Sequence, residues 1–166
     1  MSAAGAGPIL ALSLALLMAQ RGNAALAIAA TQAAVLAASA AVQGLYPEAA
    51  LLLLLNTIGL PWLVFRPISA TPPRPRFGVL GSLSAAGVLT LLAAPMSVSL
   101  AVVLLGILTA AASRDRTIQV VGLLAMQNGI ALAGLGLAEP ERIAAIVPAI
   151  PALAWAALWV SRGRAA

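Results

Sequence analysis

The chain has 166 residues, 63% hydrophobic and 8% charged, with a net charge of +5 and a mean hydropathy of +1.07. Soluble domains are about a quarter charged, and disordered chains combine low hydrophobicity with high net charge, so neither class fits. A membrane span needs about 20 apolar residues, so the length accommodates about seven spans and no separate soluble domain. The expected fold is therefore all-α, a polytopic transmembrane helix bundle.

Charge, proline and glycine divide the apolar runs. The first run predicts a span over Ala6–Gln20. It lacks a basic n-region, so it reads as an uncleaved span and not as a signal peptide. The second and third spans are predicted over Asn23–Leu45 and Ala49–Phe65. Arg66–Arg76 (RPISATPPRPR) then brings four prolines and three arginines, which neither continue a helix nor enter lipid. Four further spans follow, over Gly78–Ala94, Met96–Ser113, Thr117–Leu137 and Ile143–Val160. Residues 1–65 thus form a front three-helix segment, 66–77 a cytoplasmic Pro/Arg loop, and 78–166 a back four-helix segment.

The arginines test this division. With alternate loops assigned to alternate sides, one side holds only Arg142. The other holds Arg21, Arg66, Arg74, Arg76, Arg114, Arg116, Arg162 and Arg164. That asymmetry fits the positive-inside rule with the N-terminus outside and the C-terminus cytoplasmic. Six spans is the alternative, but merging neighbours scrambles the asymmetry. Trp62, Phe65, Phe77 and Trp159 fall near the predicted cytoplasmic boundary, where amphipathic rings favour the headgroup layer.

A pI of 11.7 in a soluble protein would suggest nucleic acid. Here the arginines stand singly or in pairs between apolar runs, so a lipid bilayer is the expected partner and nucleic acid is not. The chain contains no His and no Cys, which removes the usual ligands of zinc, haem and iron–sulfur clusters. No metal, cofactor-binding or catalytic residue is expected in this chain.

No Asp, Glu or Arg falls well inside a predicted span, which counts against an ion-coupled carrier. The spans hold amides instead: Gln32, Asn56, Gln119, Gln127 and Asn128. Interhelical hydrogen bonds of such groups contribute about 0.6–2 kcal/mol, so one reading is adhesion between helices. The other is that Gln127, Asn128, Asn56 and Gln119 form a polar intramembrane axis lining a hydrated path. Gln127 and Asn128 are adjacent, diverge by about 100°, and cannot both face one partner helix. Ala25, Ala29, Ala33, Ala37 and Ala41 form an i, i+4 ladder. Gly122, Gly129 and Gly136 recur every seven residues as a predicted helix-packing row. Pro61 frees the carbonyl of Thr57, while Pro148 and Pro151 free those of Ala144 and Val147. These are simple kinks or a broken helix beside a water-filled path.

The run RDRTIQVVGLLAMQNGIAL (Arg114–Leu132) resembles the signature of hydrogenase-4 component E, a membrane subunit of formate-hydrogenlyase-type complexes. In that signature an Arg precedes a Gln and a Gly, then Met-Glu-Asn-Gly. Arg114, Gln119, Gly122, Met126, Asn128 and Gly129 match it. The same segment is more distantly similar to the second helix of the small K-type subunit of complex I. NTIGLPWLVF resembles the family's second signature, a Lys a few residues before Val-Pro. Two positions depart: the family's acid falls on Gln127 and its basic residue on Asn56. A neutral amide pair keeps hydrogen bonding but exchanges no proton.

The resemblance implies a non-catalytic subunit of a complex-I-like, group 4 hydrogenase-like membrane arm in the bacterial cytoplasmic (inner) membrane. It would support redox-coupled proton translocation by packing between antiporter-like subunits and the quinone- or hydrogenase-proximal subunit. Redox centres would belong to other chains of the oxidoreductase complex. The alternatives are an accessory subunit of a multi-subunit cation/proton antiporter, or a small self-assembling transporter or pore.

Overall fold

The computed structural model describes residues 3–19, 22–54, 79–93, 97–113, 116–137 and 141. Every described element is a helix: α1 (Ala3–Leu17), α2 (Gly22–Val42), α3 (Tyr46–Leu52), α4 (Val79–Ala93), α5 (Val98–Ala112) and α6 (Arg116–Gly134). These begin and end within three residues of the predicted spans, save that α3 is described only through a π turn at 53–54. Asn56, the kinked segments at Pro61, Pro148 and Pro151, the Pro/Arg loop and the seventh predicted span lie outside the described residues.

Among the described residues, one helix, Asn23–Val42, is long and apolar enough to cross a membrane. Its parent α2 spans about 31 Å at 1.5 Å per residue, close to the ~30 Å hydrocarbon core. The 15-residue helices α1, α4 and α5 reach about 22 Å and fall short of that thickness. They are nonetheless apolar over most of their length, as is α6.

The ends of these helices are built by local chemistry. At the end of α2, Gly44 takes φ +79, a left-handed conformation that favours glycine. Its N–H donates to Ala41 O at 2.9 Å, and Leu45 N–H donates to Ala40 O at 3.0 Å. Together these bonds make a Schellman cap. Pro47 then sits in the first turn of α3, where its missing N–H leaves no helical bond unmade. Ser97 caps α5 by accepting from Leu100 N at 3.5 Å. At the far end of α5, Gln119 Nε2 of α6 donates to the Ser113 carbonyl at 3.0 Å, satisfying one of the acceptors a helix C-terminus leaves open.

Four helices close a ring in which α1 packs on α2, α2 on α6, α6 on α5 and α5 on α1. Leu16 shares a cluster with Ala25 and Ala29, whereas Ile9 shares one with Leu36 and Ala37, so α1 and α2 are antiparallel. Along α2 and α6 the numbers rise together, Ala25 with Val121 and Leu36 with Leu132, so that pair is parallel. Two apolar clusters fill the ring. The first joins Leu16, Leu26, Val121 and Leu124; the second joins Ile9, Leu36, Val102 and Leu132. Outside the ring, α3 packs on α2 and α4 on α5. The outer surface is strongly apolar, with Val88 56%, Leu91 77% and Leu92 67% exposed on α4.

Candidate functional site

Three of the buried polar side chains, Ser13, Gln32 and Asn128, meet at one level of this apolar interior. Gln32 is the central residue of the 21-residue α2 and is fully buried. Ser13 lies on α1 between Ile9 and Leu16, and Asn128 on α6 between Ala125 and Leu132. Each therefore sits between the two apolar clusters. A serine in a helix can donate to the carbonyl four residues back, and Ser13 Oγ does so to Ile9 O at 2.9 Å.

The layer is bonded in one direction. Asn128 Nδ2 donates to Gln32 Oε1 at 3.3 Å, and Gln32 Nε2 donates to Ser13 Oγ at 2.7 Å. Gln32 Nε2 also approaches Ile9 O at 3.4 Å. Three helices are tied through neutral groups whose dipoles line up, an arrangement in which each bond polarises the next. Neither an amide nor a serine hydroxyl titrates near neutral pH, so this layer can orient and hold but cannot store a proton.

Of the amides singled out in the sequence, the structure brings Gln32 and Asn128 into this layer and leaves Gln119 and Gln127 apart from it. Gln119 is half-buried and ties the α5–α6 turn. Gln127 is buried, 7% exposed, and among the described residues its amide makes no hydrogen bond. The adjacency argument holds in this respect: Asn128 faces α2, and its neighbour does not join that bond. Asn56 lies outside the described residues. No axis through all four amides is seen among the described residues.

The glycine row divides in the same way. An added Cβ at Gly122 would lie 2.5 Å from Ala110 N and 2.8 Å from Gly106 O, and one at Gly129 would lie 2.8 Å from Val103 N. These two glycines are where the backbones of α5 and α6 nearly touch. Gly136 is different: it lies past the end of α6, is exposed, and would meet only Ala133 O at 3.4 Å. The described helix ends before the third repeat, and among the described residues Gly136 makes no close helix approach.

Two participants were not singled out in the sequence. Gly106 on α5 faces Gly122 reciprocally, a Cβ on either one meeting the other's carbonyl at 2.8 Å. Ser13 completes the polar layer, and its signal was present as the one polar residue in the apolar run from Ile9 to Leu17.

Among the described residues, no group of three or more His, Cys, Asp or Glu is placed to hold a metal ion. Compared with protein-family models, curated proteins and solved structures, the chain gives no match in any of the three.

Proposed function

We propose that the chain is a non-catalytic, multi-pass membrane subunit that works by lateral packing inside a larger complex-I-like or group 4 hydrogenase-like membrane arm. The type is that of hydrogenase-4 component E, and the setting is the bacterial cytoplasmic membrane with the N-terminus outside. The observation that carries this reading is the polar layer at the centre of α2, in which the described residues Ser13, Gln32 and Asn128 bond to one another through neutral groups. Such a layer suits adhesion at the depth where a carrier would need an ionisable group.

Three further features support it. Asn128, Gly122 and Gly129 of the matched segment carry the buried bond and the close helix approach. The parallel run of α2 and α6 agrees with strict alternation of seven spans, in which the second and sixth point the same way. The ring interior is filled with apolar side chains, which counts against a self-assembling pore.

The test is extraction of the tagged chain from its native membrane in mild detergent, with identification of co-purifying chains. Antiporter-like subunits together with a hydrogenase- or quinone-proximal subunit are expected. Antiporter-like subunits alone would favour the cation/proton antiporter. A chain that runs by itself, and that collapses an imposed pH gradient in vesicles in a saturable way, would overturn the subunit reading.

A further inference from the structure

The face that α2 turns to α1 and α6 has an unusual weakness. Ala25, Ala29, Ala33 and Ala37 are all buried, at 0 to 5% exposure. They recur every four residues, so a slip of α2 by about one turn, roughly 5.4 Å, sets alanine where alanine was. Knobs of equal size at equal spacing give close approach but little axial preference. In most helix pairs uneven side chains choose the register. On this face the alanine row is interrupted by Leu26 and Leu36, one in each apolar cluster, and by the polar Gln32 between them.

We infer that the Ser13–Gln32–Asn128 layer is a register lock, a conformational device that fixes the axial position of α2 against α1 and α6. Gln32 is the buried polar residue on that face, and its neighbours four positions away are the apolar Ile28 and Leu36. After a one-turn slip, one of those apolar side chains faces Ser13 Oγ, and the Gln32 amide enters an apolar cluster without a partner. Each side of the lock fails together, because Gln32 accepts from α6 through Oε1 and donates to α1 through Nε2. A buried polar residue that sets register at some cost in stability is a known physical device in helical assemblies. The inference concerns the fold of this chain and stands whether or not the subunit reading is correct.

The chain has no cysteine, so an introduced pair reports position without background. Leu16 and Ala29 lie in one cluster, which Ala33 does not join. In the full-length protein, oxidation is expected to join Leu16→Cys to Ala29→Cys in high yield and Leu16→Cys to Ala33→Cys in low yield. Adding Gln32→Leu, which keeps the volume and removes the amide, is expected to raise the 16–33 product severalfold at the expense of 16–29. Ser13→Ala removes a single hydroxyl, is the milder change should Gln32→Leu fail to fold, and is expected to move the ratio the same way. A ratio unchanged in every folded variant would show that apolar packing alone sets the register, and the inference would fall.

Discussion

A single methyl group at Gly122 is the sharpest perturbation the bundle offers. An alanine Cβ there would lie 2.5 Å from Ala110 N, about 0.9 Å short of the 3.4 Å at which ordinary contact begins. Gly106 O at 2.8 Å and Ala110 Cα at 2.9 Å are equally close, and all three are backbone atoms, so no side chain can rotate away. The helices must part. A gap of 0.5–1 Å forfeits a quarter to a half of each dispersion contact it opens, and overpacking of this kind costs about 1–3 kcal/mol. The upper end applies, because α5 and α6 share the most extensive interface among the described helices. Alanine's helix propensity returns about 1 kcal/mol, leaving a net loss of about 2 kcal/mol. For a chain of this size that is a fall in Tm of about 4–8 °C. Thermal unfolding of Gly122→Ala in detergent micelles measures it, with Gly87→Ala as the control. Gly87 is exposed on α4 with nothing within 4 Å of an added Cβ, so that variant reports propensity alone. If the two variants unfold at the same temperature, the close approach of α5 and α6 is refuted.

Gly87→Ala is itself expected to raise stability by about 0.5–1 kcal/mol, and a fall would mean that its face is packed against something. Asn128→Leu leaves Gln32 Oε1 without its donor and is expected to cost about 1–3 kcal/mol. Gln127→Leu, one residue away, makes no comparable demand and should unfold within about 0.5 kcal/mol of the parent chain. Equal losses at both positions, measured by the same unfolding curves, would remove the distinction between the two amides. Cysteines at Ser2 and Ala166 are expected to label from opposite sides of the membrane with an impermeant thiol reagent. Labelling from one side would require an even number of spans.

The helices of the described segments were legible because charge, Pro and Gly bound the apolar runs sharply: Arg21 precedes α2, which opens on Gly22, and Pro95 precedes α5. Pairing was less legible. Gln32 and Asn128 stood out as amides in apolar helices, yet their bond joins residues 96 apart, and no local pattern encodes that contact. Ser13 drew no notice because a lone serine satisfies itself on its own helix as readily as it bridges to another. Gly106 was missed because a seven-residue repeat is visible on one helix, whereas a close approach needs a small residue on both. Gly136 continues the seven-residue periodicity past the point where the described helix stops.

The ring of four helices also implies an order of assembly. The α5–α6 hairpin is closed by a link of a few residues, and α1–α2 by another, so both can form from local contacts at little loop-closure cost. The parallel pairing of α2 with α6 is of another kind, for it must wait until the intervening residues 43–115, nearly half of the chain, have been synthesised. Two preformed hairpins then dock, and the Asn128–Gln32 bond is among the last contacts made. A mispaired dock leaves that amide exposed to hydrocarbon, where an unpaired polar group is most costly. The expected signature is kinetic: substitutions at Gly122 would slow the early hairpin step, whereas loss of Asn128 would chiefly hasten the separation of hairpins already formed.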